Sequence, residues 1–139
     1  MANDIASRQA NPTLQVLHAT NRLLSYCIAP RNNGLTYHAC DMALHIHVDA
    51  SYLSRSHARS VVGAIFFLGN RFQPTRINGT IHAISSIIPC VVASAAEAEC
   101  VAIFAGAQHG AYLSTVLTDL GYPQDPIIVV IPIVSYTVL

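Results

Sequence analysis

At Ser94 the hydrophobic pattern of this chain changes period, and that change restricts it to a small set of folds. Before it lie three runs of strand type. Leu44, Ile46 and Val48 alternate with His45, His47 and Asp49, Val61 to Leu68 is a short apolar run closed by Gly69-Asn70, and Thr80 to Ile88 is another closed by Pro89. From Ser94 the spacing becomes helical. Ser94-Ala-Ala-Glu97 has the form of a capping box, in which the Ser hydroxyl accepts from the Glu97 N–H and the Glu carboxylate returns to the Ser94 N–H. Val101, Phe104 and Ala105 continue the helix, and Gly106 and Gly110 weaken its middle, so a kink or two consecutive helices is expected. Leu113, Val116, Leu117 and Leu120 then form an i, i+3, i+4, i+7 stripe, with Gly121 expected at C′ and Pro123 beyond. The last run, IIVVIPIVSYTVL from Ile127 to Leu139, reads as a buried strand interrupted by Pro132. Three closely connected strands, a helical crossover and a returning strand predict an α/β fold. Its sheet is mixed: an antiparallel meander joined by one parallel strand.

Upstream, NPTLQVLHATNRLLSYC carries Asn11 as an expected N-cap and Pro12 at the first helical position, which predicts a helix over Pro12–Ile28. Pro30 and Asn32-Asn33-Gly34 stop it. Residues 1–33 are thus expected to form an N-terminal connection helix, and residues 34–139 the α/β domain. With 53% apolar and 10% charged residues, the chain lacks the composition of a disordered protein. Its seven basic residues, all Arg, balance seven acids, so contact with nucleic acid must be local. So few charges favour self-association as well. Cys27, Cys40, Cys90 and Cys100 show no metal-ligand spacing and are expected to be reduced core thiols. With no signal-type N-terminus and no uninterrupted apolar run of about 18–20 residues, the expectation is an intracellular protein, cytoplasmic or nuclear, without a membrane partner.

The seven carboxylates can be taken one by one. Asp49 lies towards the end of the first strand, and Glu97 and Glu99 open the helix after the third. In this topology those ends are neighbours, and two carboxylates converging there suit Mg²⁺ (or Mn²⁺). Glu97 is occupied by the capping box, so Glu99 is the better ligand; the alternative is a turn Asp and a solvated first-turn Glu. Asp125 sits at the entrance to the fourth strand, and Asp41 is at the wrong end of the first strand. His45, His47 and Asp49 share one strand face and could hold Zn²⁺ with a fourth ligand, or simply be polar residues on the less buried face. Arg55 and Arg59 flank SHARS, where they could grip a nucleic-acid phosphate or be solvated loop residues.

Several segments taken in order, ANPT with LLSY, then HIHVDASYLS, ARSVVGAIFFLG, NGTIHAISSII, ASAAEAECVAIF and TVLTDLGYPQDP, resemble the ribonuclease H region of copia-type LTR retrotransposon Pol polyproteins, together with the connection preceding it. The resemblance runs from about Ala10 to Pro126. It implies a ribonuclease H-like fold and metal-dependent hydrolysis of the RNA strand of an RNA–DNA hybrid, with two divalent ions at an acidic site. It assigns the first catalytic, metal-binding Asp to Asp49 and the helical Glu to Glu99. The family's third acid falls where this chain reads VVIPIV, Val130 to Val134, without a carboxylate, and its fourth position, last strand and last helix have no counterpart before Leu139. The expectation is therefore a C-terminally truncated domain with impaired catalysis. The alternative is an inactive relic that acts as a structural or protein-interaction module.

Overall fold

The computed structural model describes residues 5–29, 34–72, 78–126 and 128–130. By its contacts the chain divides into two units, Met1–Leu35 and Thr36–Leu139.

The first unit is built on α1 (Leu14–Ile28). The helix begins two residues later than the spacing of Asn11 and Pro12 suggests. Thr13 is the N-cap instead, in an extended conformation, its side chain accepting from the Val16 N–H at 3.4 Å. No residue of α1 is buried.

The second unit contains β1 (Ala43–Arg55), β2 (Arg59–Gly69), β3 (Thr80–Ile87), α2 (Ala95–Asp119) and β4 (Ile128–Val130). The strand order is β3-β2-β1-β4. β1 pairs antiparallel with β2, and β2 with β3, while β4 runs parallel to β1 from His45↔Ile128 to His47↔Val130. This is the expected α/β mixed sheet with its helical crossover. Pro132 and the rest of the predicted last strand lie outside the described residues.

Alternation along β1 and β2 sorts their side chains onto two faces. Leu44, Ile46 and Val48, with Val62, Ala64 and Phe66 across from them, form one buried face, and α2 packs on it through Ala98, Ala102 and Leu117. Burial of residues the size of Ile46 and Phe66, both at 0% exposure, stabilises by about 1.5–3 kcal/mol each.

α2 is one continuous helix of 25 residues and not two consecutive helices. Gly106 serves close contact with the sheet: a Cβ there would stand 2.8 Å from Val48 Cγ2 and 3.7 Å from Ile46 Cγ2. The buried side of the helix is a row of small residues, Ala98, Ala102, Gly106 and Gly110, followed by Leu117. Phe104, Val116 and Leu120, expected in the apolar stripe, are exposed. The reason is steric, since the strands already supply bulk at this layer and the helix must supply hollows. By length and composition α2 is also apolar enough to cross a membrane.

Both ends of α2 are capped. The Glu97 N–H donates to Ser94 Oγ at 3.1 Å, as the capping box requires. The return bond lands one residue earlier than expected, with Glu97 Oε2 accepting from the Ala93 N–H at 2.6 Å. At the other end Gly121 takes φ +92°. The Tyr122 N–H reaches Leu117 O and the Gly121 N–H reaches Thr118 O, a Schellman motif.

Side chains from the connections bind one end of the inner strands β1 and β2. Asn78 accepts from the His38 and Gly79 N–H groups and donates to the carbonyls of His38 and Leu68, holding residues 36–40 beside β2. Gln124 Oε1 accepts from the Leu44 N–H at 2.9 Å, and its Nε2 donates to Met42 O at 3.0 Å. Arg71 pairs with Asp125 at 2.7 Å and donates to Pro123 O, while its backbone N–H reaches the Asp41 carboxylate. The β1–β2 turn holds His57 and Ala58 at φ 63° and 52°. Cys27, Cys90 and Cys100 are exposed and Cys40 is half-buried, so the expectation of core thiols is corrected. Their positions lie off the buried faces that the strands and α2 share.

Candidate functional site

Asp49 leaves β1 on the face opposite the one that carries Val48, and so opposite α2. Its cross-strand neighbour is Gly63, which in turn pairs with Ser85. With no side chain at Gly63, nothing on β2 stands over the carboxylate. The result is an open concavity of about 480 Å³ lined by His47, Asp49, Gly63, Ile65, Ala83 and Val130 among others. Among the described residues Asp49 is its only carboxylate, and most of the remaining lining is aliphatic.

Glu99 lies half-buried in the first turns of α2, next to buried Ala98. The Tyr52 hydroxyl donates to Ala93 O at 2.9 Å, which ties the C-terminal half of β1 to the start of α2. Asp49 is the middle residue of β1 and points away from the face that α2 covers, so the expected convergence of Asp49 and Glu99 at one end of the first strand is corrected: β1 runs on to Arg55, and Glu99 rides on the helix of the other face. Glu97 is engaged in its cap, in keeping with the choice of Glu99 over it. Asp41 and Asp125 both bond to Arg71 at the opposite end of β1.

A pair of magnesium ions needs several converging oxygen ligands. Among the described residues no group of three or more His, Cys, Asp or Glu side chains is placed to hold a metal ion. One carboxylate in an otherwise aliphatic concavity does not fit a two-ion site, and no hydrolytic step through such ions is derived. The zinc arrangement of His45, His47 and Asp49 is likewise not assembled. His45 is buried, its Nε2 is 3.1 Å from Asn70 O, and its ring stacks on Phe67 at 5.5 Å. His47 meets the same phenyl ring edge-on at 5.0 Å.

Arg55 and Arg59 face each other across the β1–β2 turn. Arg59 Nε donates to Ser56 O at 3.3 Å. The turn lies six residues beyond Asp49 along β1, about 20 Å if fully extended.

One pair of chemistry-bearing side chains escaped the reading of the sequence. His82 of β3 and His109 of α2 stand with Nε2 and Nδ1 3.1 Å apart, although they are 27 residues apart in the chain. No local spacing signals such a pair, because only the packing of α2 over β1 and β2, with β3 alongside, creates it.

No protein-family model, curated protein or solved structure matches the chain.

Proposed function

We propose that this chain is a ribonuclease H-like domain related to the copia-type LTR retrotransposon Pol polyproteins, which engages RNA–DNA hybrids and whose own turnover is impaired. The placement of Asp49 carries the reading. The residue that the motif resemblance marks as the first catalytic Asp sits midway along the central strand β1, accessible on the open face of the sheet. The sheet order β3-β2-β1-β4, with a helical crossover before the parallel strand, is the architecture that the resemblance implies. The Arg55–Arg59 turn supplies positive charge for a nucleic-acid backbone, and Mg²⁺ or Mn²⁺ at Asp49 belongs to the same proposal, with Glu99 on the helix that covers the other face. The impairment follows from the short acid inventory.

The test is cleavage of a labelled RNA–DNA hybrid with Mg²⁺ and then Mn²⁺, with Asp49→Asn and Glu99→Gln alongside. Residual cleavage lost in both variants supports the reading. Hybrid binding without cleavage, weakened when Arg55 and Arg59 are changed to Gln, supports a domain that binds without turnover. A folded protein that neither binds nor cleaves the hybrid overturns it.

A second reading, a structural or protein-interaction module, is favoured by the aliphatic lining around Asp49 and by exposed Phe104, Tyr112, Val116 and Leu120 on α2. Light scattering checks it: a concentration-dependent dimer supports self-association, and a clean monomer counts against it.

A further inference from the structure

We infer that His82 and His109 form a two-imidazole site for a borderline divalent transition-metal ion of the Zn²⁺ and Ni²⁺ class, which staples β3 to α2. The two ring nitrogens are 3.1 Å apart, the rings are inclined by 24°, and each ring lies against Phe66, with centroids at 5.1 and 6.1 Å. Phe66 is fully buried between them and the core, so it limits how far either ring can swing. A metal–nitrogen distance of about 2.0–2.1 Å puts one ion at an N–metal–N angle of roughly 100°. That angle falls between the octahedral and tetrahedral values. Each ring, whose nitrogen now points at the other, turns by about 40° to aim its lone pair at the ion. His109 is exposed and His82 half-buried, so water can reach the ion and complete its shell.

Without metal, one imidazole donates its N–H to the lone pair of the other. On binding, the proton on the donating nitrogen moves through water to the far nitrogen of the same ring. Both rings stay neutral, both facing nitrogens present lone pairs, and no net proton is released. Imidazole nitrogen favours Zn²⁺, Ni²⁺ and Cu²⁺ over Mg²⁺, so this site is chemically separate from any magnesium at Asp49. The ion would connect two elements far apart in the chain, and it stabilises the folded state by mass action because the unfolded chain lacks the site.

The experiment is isothermal titration with Ni²⁺ and Zn²⁺, paired with thermal unfolding by circular dichroism, on the full chain and on His82→Gln and His109→Gln. His18→Gln is the control. The expected result is saturable binding of about one ion, and a melting temperature that climbs with metal concentration. Both effects are lost in each His82 or His109 variant, kept in the control, and not produced by Mg²⁺. The two variants are read separately, so one that folds without metal suffices. Absence of binding to the full chain overturns the inference. So does undiminished binding in a folded His82 or His109 variant, which would assign the metal to exposed thiols or other histidines. Neither result bears on hybrid cleavage, which Asp49→Asn tests independently.

Discussion

Gly106 of α2 sits directly above Val48 of β1, so close that a Cβ on the glycine would lie 2.8 Å from Val48 Cγ2. Val48 is buried and stiff about χ1, and it cannot turn aside. Gly106→Ala therefore sets a helix-propensity gain of about 1 kcal/mol against an overpacking cost of about 1–3 kcal/mol. The expected outcome is a net loss near 1 kcal/mol in urea unfolding. Combining Gly106→Ala with Val48→Ala should cost less than the sum of the two single changes, because the new methyl fills space vacated by the valine. Strict additivity would show that the two residues do not share that space.

Asn78→Ala should cost about 2–4 kcal/mol, since it removes both acceptor bonds and both carbonyl-directed donor bonds that hold residues 36–40. Asn78→Asp keeps the acceptors but turns a negative oxygen towards the His38 and Leu68 carbonyls, and it should not rescue. Chemical denaturation of the three proteins side by side checks this.

The β1–β2 turn holds two non-glycine residues, His57 and Ala58, in left-handed backbone. Each bears part of the roughly 1–2 kcal/mol that this conformation costs a side-chain-bearing residue. Replacing the pair with Asn-Gly, the favoured sequence for two successive positive φ values, should raise stability by about 1 kcal/mol. A lower melting temperature would mean that one of the replaced side chains makes a contact worth more than the strain.

Asp49 is exposed on the open face of the sheet, with Gly63 across from it on β2. Asp49→Asn should leave the unfolding free energy within about 0.5 kcal/mol of the parent. Loss of hybrid binding or cleavage in this variant would then report chemistry and not unfolding. A large loss of stability would place Asp49 in the scaffold.

The strands were legible because a period of two is a local property: Leu44, Ile46 and Val48 fall on the core face and Asp49 on the other, as their alternation implies. The ends of α2 were legible for the same reason, through Ser94, Glu97 and Gly121. Its buried side was not. Phe104 and Val116 look like core residues until the bulk of Ile46, Val48 and Phe66 is known to face the helix, and only then do Ala98, Ala102 and Gly106 become the contact row. Asp49's half of the candidate site could be read from its strand, whereas Glu99's direction depends on how α2 rotates against the sheet. The contacts of Asn78, Gln124 and Arg71, and the meeting of His82 with His109, join residues 10 to 82 positions apart. Nothing in a local window encodes them.

The amide of Gln124 also settles a question that the strand following it leaves open. In Ile127-Ile128-Val129-Val130-Ile131 every residue is aliphatic, so sliding the strand one place along β1 exchanges like for like and meets almost no hydrophobic penalty. By grasping Leu44 N–H and Met42 O three residues before Ile127, Gln124 acts as the first rung of the ladder and counts off the pairing of Ile128 with His45. Alignment of the parallel strand is thereby written in one polar side chain ahead of it, and not in the strand's own letters.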